Sequence, residues 1–492
     1  MMNMVNPFQS FLEKYENPLI IVLCIIALIR IFTFSAAFPF FNNVDEHAHF
    51  DMVIKYAGGF LPSNQSDNFD KESAEVIANY GTTEYFHREP VLSREPFTVT
   101  RKNAWLNEKN HEAFSPPVYY MIAGAWYNFG KVIGLKGGYL LYWIRFMNLP
   151  IYALFLWVAY LFCRYTEPDN LYLRIGIILL LSFFPQDVFY SINGDVLSPL
   201  LLTSALLLLT KIYLNNRAFW LYPLAGIMIA GTVLVKLSNL PALLIFSIIL
   251  LMLVKKLNST GQLLNSTLRL LSMLAAVIVP LIIWISFNLC TSGDMTGASH
   301  KIEYFGWSVK PFSEWGNHPI FTLQGIGYFF SELARTFWRG EFIWHLERVA
   351  SKSADIIYIV TTLIFETAGI AGIISERKNV LSDKKYFNCL NICILVSYIL
   401  FLIILSIRYD FGGCPYPSRD LPYFTSGRLI LAALVPFLII YIKGIELIAA
   451  KISKRIDPII VIILIVLYSS FLEITNYVER GVFASPYNFF HL

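Results

Sequence analysis

The 492-residue chain reads as an all-α polytopic membrane protein. Three observations predict this. Hydrophobic residues make up 56% and charged residues 15% of the sequence, where soluble domains carry about 25% charged residues. Apolar runs of ~20 residues, the length of one hydrocarbon crossing, recur from end to end. These runs are too long and too uniformly apolar for the alternating strands of a membrane barrel, so helices must satisfy the backbone in lipid.

The runs lie at 18–38, 139–162, 171–190, 196–214, 219–236, 238–255, 268–290, 355–375, 387–407, 428–447 and 457–474, which predicts about eleven spans. The first, Pro18 to Phe38, is too long for a signal-peptide core, so despite Ser35-Ala36-Ala37 it is expected to be a retained helix. The runs and the polar stretches between them divide the chain into three parts. Residues 1–290 form a transmembrane module with a first polar loop at 39–138. Residues 291–354 form a second loop, and residues 355–492 hold the last helices with a short loop at 408–427.

Lys and Arg in short loops set orientation. With the N-terminus inside, the inner loops hold Arg164 and Arg174; Lys211 and Arg217; Lys255, Lys256 and Arg269; Arg377, Lys378, Lys384 and Lys385; then Lys451, Lys454 and Arg455. The three polar loops and the C-terminus then lie outside. Counting Pro117 to Ile133 as a further span would invert every later loop, so this stretch is expected to lie along or dip into the outer interface. Aromatic residues, 16% of the chain, gather near run ends, where amphipathic rings are favoured.

A net charge of +4 gives no basic patch and excludes a nucleic-acid partner. The six cysteines, Cys24, Cys163, Cys290, Cys389, Cys393 and Cys414, contain no CxxC pair or zinc spacing. Only Cys290 and Cys414 can both face an oxidising side, which leaves room for one disulfide. There is no Walker loop, no Rossmann glycine fingerprint and no GxSxG, so nucleotide-driven transport is unsupported.

Chemistry-bearing residues gather at the mouths of the runs. Asn43-Val44-Asp45-Glu46-His47-Ala48-His49-Phe50 follows the first run. If it is helical, Asp45 and His49 at i, i+4, and Glu46 and His49 at i, i+3, share a face. Asp45, Glu46 and His49 could then hold a divalent cation, or one carboxylate could act as a base. A helix start also explains the acids, since Asn and Asp cap helices, but not the histidines. Asp195 in Ser191-Ile192-Asn193-Gly194-Asp195 is either a cap for the next span or a second site acid. His111-Glu112-Ala113-Phe114-Ser115-Pro116-Pro117-Val118-Tyr119-Tyr120 places two titratable groups before a diproline helix start. Lys236, at the outer end of a run, either snorkels or meets a lipid phosphate. Arg408, Arg419 and Arg428 would form a basic cluster suited to phosphate. Trp338-Arg339-Gly340-Glu341-Phe342-Ile343-Trp344 adds an aromatic and charged element to the second loop.

In their order, these motifs resemble the GT-C superfamily of integral-membrane glycosyltransferases. Within that clan they are most similar to a bacterial family of membrane proteins whose first motif reads Pro-Asp-Glu-x-x-His-Phe, here Val44-Asp45-Glu46-His47-Ala48-His49-Phe50. The loop ending in His-x-x-x-x-Pro-Pro-x-Tyr-Tyr fits, as do Ile192-Asn193-Gly194-Asp195, Lys236-Leu237-Ser238, Phe337-Trp338-Arg339-Gly340 and Gly427-Arg428-Leu429. Val44 and Ser115 depart from the pattern. The resemblance implies a polyprenyl-phosphate-linked sugar donor, a glycan, lipid or protein acceptor, and inverting transfer. It implies Asp45 as general base, with Glu46 orienting it or helping to hold a cation, and Asp195 as a further site acid. Lys236 and Arg428 would stabilise the departing phosphate, and His49, His111, Glu112, Tyr119, Arg339 and Arg408 would stand among the substrate-binding groups. No cofactor is demanded, although magnesium or manganese would suit Asp45, Glu46 and His49. The implied setting is a bacterial inner membrane, with lipids as neighbours and the site on its periplasmic face.

Two other readings stand beside this one. A transporter or lipid flippase would place its ionisable relay inside the spans, whereas the apolar runs are nearly free of charge, Glu366 being the main exception. An O-antigen ligase or polymerase would rely on Arg and His rather than on a carboxylate pair.

Overall fold

The computed structural model describes residues 7–59, 67–81, 95–214, 218–375, 383–453 and 456–491. Of the basic residues that set the expected orientation, Arg217, Arg377, Lys378, Lys454 and Arg455 lie outside these segments. Nine of the described helices are long and apolar enough to cross a membrane: Gln9–Ala37, Gly137–Thr166, Gly194–Tyr213, Leu237–Ser259, Leu263–Ser292, Lys352–Ser375, Tyr386–Arg408, Gly427–Ile452 and Pro458–Glu479. The two remaining apolar runs form shorter helices, Leu171–Ser182 and Leu221–Val235. The run expected at 171–190 breaks after Ser182 and resumes as a 3₁₀ turn at Asp187–Tyr190. Four two-residue strands form two small antiparallel pairs, Ser308–Val309 with Tyr409–Asp410 and Ile343–Trp344 with Glu347–Arg348. The protein is an all-α multi-pass membrane protein.

One apolar core extends from Leu12 to Val482, so the three sequence segments share a single interior. Helix Gly427–Ile452 is its axis, with Ile430 through Ile442 almost wholly buried. Close contacts use glycine: a Cβ on Gly444 would meet the Phe365 carbonyl at 1.9 Å, which is how Lys352–Ser375 approaches this helix.

The expectation of apolar runs nearly free of charge is corrected. Arg30 and Glu473, in the first and last spans, pair at 2.8 Å, and Lys443 pairs with Glu167 at 2.5 Å. Arg145, 2% exposed, is wholly committed to Glu46 and three carbonyls. Buried charges persist only when paired and hydrogen-bonded. Glu366, in Lys352–Ser375, is buried with no hydrogen-bond partner for either carboxyl oxygen.

Helix Val118–Val132 has fifteen residues, about 22 Å of rise, short of the ~30 Å hydrocarbon layer. It turns Met121, Ile122, Phe129 and Val132 outward. Its other side clasps the next helix. Trp126 and Trp143 stack at 4.5 Å, and each indole N–H donates to the other residue's carbonyl.

Candidate functional site

Asp45, Asp195, Lys236 and Arg428 all sit where a helix begins or ends, at one end of the bundle. Asp45 takes the N-cap position of helix Glu46–Ala57 in left-handed conformation (φ 64°), yet its side chain makes no cap hydrogen bond. Asp tolerates this conformation better than most residues. The carboxylate is thereby free to face a cavity of about 730 Å³, lined by His111, Lys236, Lys301, Glu341, Arg348 and Arg428 among others.

Asp45 Oδ1 lies 3.2 Å from His111 Nε2, and Oδ2 accepts from the Arg428 guanidinium. Burial pushes the Asp45 carboxyl up, but Arg428, His111 and Lys301 outweigh it and hold it well below the usual range. Arg428 also donates to the Val44 carbonyl at 3.3 Å and lies 3.9 Å from Glu341. It can enter because Gly427 packs against helix Leu323–Arg339, where a Cβ would meet the Phe337 backbone at 2.1 Å. Next to it, Lys236 Nζ and Asp195 Oδ2 pair at 2.5 Å. Lys236 therefore does not snorkel, and Asp195 is not a cap; the cap there is Asn193, whose side chain accepts from the Asp195 backbone N–H.

Glu112 is 2% exposed, pairs with Lys301 at 2.5 Å and accepts from Ser115 Oγ. Burial raises its carboxyl, but Lys301, His49 and His111 overcome this and hold it well below the usual range. Asp45, His111 and Glu112 each offer a ligand atom, all within 4.8 Å of one another. Two carboxylate oxygens and one imidazole suit manganese better than magnesium, which prefers oxygen ligands alone.

The cation trio expected at Asp45, Glu46 and His49 is thus corrected to Asp45, His111 and Glu112. Glu46 is fully buried, with Arg145 bound through both oxygens at 2.8 Å and the N–H groups of Phe41 and Ile192 at 2.9 and 3.0 Å. It does not line the cavity. His49 turns to the Tyr120 hydroxyl at 2.8 Å, leaving Nε2 buried without a hydrogen-bond partner. Burial holds its imidazole down at about 3. The cap position of Asp45 explains the difference: its side chain stands outside the helix, so helical i, i+4 geometry does not apply to it.

The remaining expectations also resolve geometrically. Tyr119 is fully buried against Gly194, away from the cavity. Arg339 pairs with Asp355 at 2.7 Å, outside it. Arg408 is exposed over the Tyr409 ring, and Arg419 is exposed on Asp410 at 3.2 Å. Of the three expected arginines only Arg428 lines the cavity, so that basic cluster does not form. The Cys290 and Cys414 thiols are both free.

Other lining residues lie outside the expected site residues, and among them Glu341 belongs to a segment the sequence marks, Trp338–Trp344. Lys301 and Tyr304 come from helix Ala298–Tyr304. Glu341 accepts from Ser426 Oγ, pairs with Arg348 at 3.3 Å and is fixed by its backbone N–H on Asp187 at 2.8 Å. Arg348 lies over the Tyr416 ring at 4.6 Å. Trp105, Phe305, Trp307 and Phe424 complete an aromatic wall.

Among solved structures, three of the oligosaccharyltransferase of Archaeoglobus fulgidus are similar in outline. The apo form has a TM-score of 0.39 at 10% identity, covering 93% of this chain and 56% of that one. A complex with zinc and sulfate has 0.41 at 11%, covering 92% and 52%. The enzyme with an inhibitory peptide and a dolichol-phosphate has 0.38 at 11%, covering 96% and 56%. The chain thus spans about half the length of these proteins. No curated protein matches the sequence. A family model described as "Predicted membrane protein (DUF2142)" matches residues 28–411, and the chain belongs to that family.

Proposed function

We propose that this protein is a GT-C-type membrane glycosyltransferase that moves a sugar from a polyprenyl-phosphate donor to an acceptor hydroxyl on a glycan, lipid or protein. The observation that carries the reading is the Asp45 carboxylate, held at the cavity between His111 and Arg428 with Lys236 alongside. In an inverting displacement the acceptor oxygen attacks the anomeric carbon. The bond from that carbon to the phosphate oxygen breaks, polyprenyl phosphate leaves, and the acceptor proton passes to Asp45.

Arg428 has two parts in this scheme. Before donor binding it neutralises Asp45. A donor phosphate competes for the guanidinium and, as it draws Arg428 away, makes Asp45 more basic when a base is needed. Lys236 and Arg428 then stabilise charge on the leaving phosphate. Asp45, His111 and Glu112 would hold a divalent cation, which would supply further positive charge for the phosphate. The positive-inside pattern supports a site on the outer face of the membrane, which in a bacterial inner membrane is the periplasmic face; reporter fusions at Asn258 and Ser313 should score cytoplasmic and external.

The decisive experiment reconstitutes the purified protein in proteoliposomes with a panel of polyprenyl-phosphate hexoses and pentoses and follows polyprenyl phosphate release. Asp45→Asn keeps the shape and removes the base, and transfer should fall roughly 10²- to 10⁴-fold. A flippase would move the donor across the bilayer without releasing polyprenyl phosphate, and would owe nothing to Asp45.

A further inference from the structure

Helix Leu323–Arg339, in the second polar loop, carries three distinct faces. Gly325, Phe329, Glu332, Leu333 and Thr336 are buried in the protein. Leu323, Ile326 and Phe330, at i, i+3 and i+7, form a second stripe that is 93%, 42% and 45% exposed. Gln324, Ser331 and Arg335 make a third, polar stripe. At 3.6 residues per turn the apolar stripe lies roughly 110° round from the centre of the buried face, with the polar stripe roughly 125° further on. A helix at a protein–water surface needs two faces. A third, apolar and exposed face marks contact with lipid.

The helix end fixes the depth. The Trp338 indole donates to Thr362 at 2.9 Å and stacks on Tyr358, both within the span Lys352–Ser375. Thr362 lies ten residues after Lys352, ~15 Å down the span. On the other side, Arg335 and Arg339 reach back to Asp355, near the start of that span, at 3.8 and 2.7 Å. The polar side therefore faces the membrane surface and the C-terminal end lies below it. Phe321, just before the helix, is 65% exposed.

We propose that the first half of this helix is embedded in the leaflet on the cavity side, with Phe321, Leu323, Ile326 and Phe330 among acyl chains and Gln324 and Ser331 at the headgroup level. The bilayer then anchors one wall of the cavity. Gly340 (φ 79°) turns the chain directly from this helix into Glu341, and a Cβ there would strike the Asp187 carboxylate at 1.9 Å. The proposal is independent of the sugar-transfer reading.

Spin labels test it in phospholipid nanodiscs, with the exposed Cys290 and Cys393 replaced by serine. Labels at Leu323→Cys, Ile326→Cys and Phe330→Cys should be relaxed several-fold more by oxygen than by a water-soluble nickel chelate. Labels at Gln324→Cys and Ser331→Cys should show the reverse. Four of the five positions are exposed and Ser331 is half-buried, and a monodisperse elution profile confirms that each variant folds. Chelate accessibility across the apolar stripe would overturn the proposal, because the stripe would then face water. Protection from both probes would also overturn it, because another protein surface would then cover the stripe.

Discussion

Arg428 reaches back across 383 residues of sequence to hydrogen-bond the carboxylate of Asp45. The contact joins the mouth of the first span to the start of the eighth of the nine long spans. It makes the charge state of the proposed base depend on a distant arginine.

Arg428→Ala should therefore shift a pH profile. Asp45 is held well below the usual carboxylate range although its burial acts in the opposite direction. Its basic form is present throughout neutral pH in the wild type. Without Arg428, the largest opposing influence is gone and burial raises the carboxyl. The acid limb of kcat/KM should move to higher pH, together with a rise in donor KM. An unmoved acid limb would remove Asp45 as the titrating base.

Glu46 and Arg145 call for the opposite result. Their bidentate pair is buried at 0% and 2% exposure and ties the turn after the first span to helix Gly137–Phe146. Glu46→Gln leaves a buried guanidinium uncompensated, a loss on the order of 3–5 kcal/mol. The thermal midpoint and folded yield should fall sharply. A double variant, Glu46→Leu with Arg145→Met, should recover part of the loss, because an apolar pair carries no stranded charge. A single variant of unchanged midpoint would show that the pair does not hold this turn in place.

The sequence made the spans and the titratable span mouths readable, because hydropathy is local and these charges stand against apolar surroundings. Asp45, His111, Lys236 and Arg428 were found this way. Glu46 is adjacent to Asp45 in sequence, but adjacent side chains at a helix start diverge, and only the fold shows which faces Arg145. Lys301 and Arg348 sit in a polar loop where charge is ordinary, so nothing local separates them from solvated residues; Glu341 stands in the aromatic and charged element Trp338–Trp344, which marks the segment but not which of its charges reaches the cavity. A signal did exist for the structural pairs. A lone Arg30 or Arg145 in an otherwise apolar run costs too much to leave unpaired, and each implied a buried acid elsewhere.

His49 and His47 should together drive an acid-induced loss of stability. Burial holds His49 at about 3 and His47 at about 4, against 6.5 for the free imidazole. Below pH ~6.5 the unfolded chain binds protons that the folded state refuses. The stabilisation is thus complete above that pH and declines as pH falls toward the folded values, at up to about 1.4 kcal/mol per pH unit for each histidine. His49→Gln should flatten the fall in thermal midpoint between pH 6.5 and 4.5. An unchanged slope would show that His49 is not one of the refusing groups.

Lys236 separates a phosphate site from a purely structural pair. Its side chain is 16% exposed, bound to Asp195 and lining the cavity, whereas the Asp195 side chain is 1% exposed. Lys236→Ala removes a cation from the cavity and strands a buried carboxylate. Lys236→Ala with Asp195→Asn removes the cation without stranding the acid. If the lysine serves only the fold, the double variant should regain both stability and donor affinity. If it holds phosphate, the double variant should regain stability while donor KM stays raised roughly 10-fold or more, since hydrogen bonds to charged groups contribute about 1.5–3 kcal/mol. Titrating the polyprenyl-phosphate donor against the two variants, at matched folded fraction, reads the difference. Acceptor KM should move less than donor KM in both.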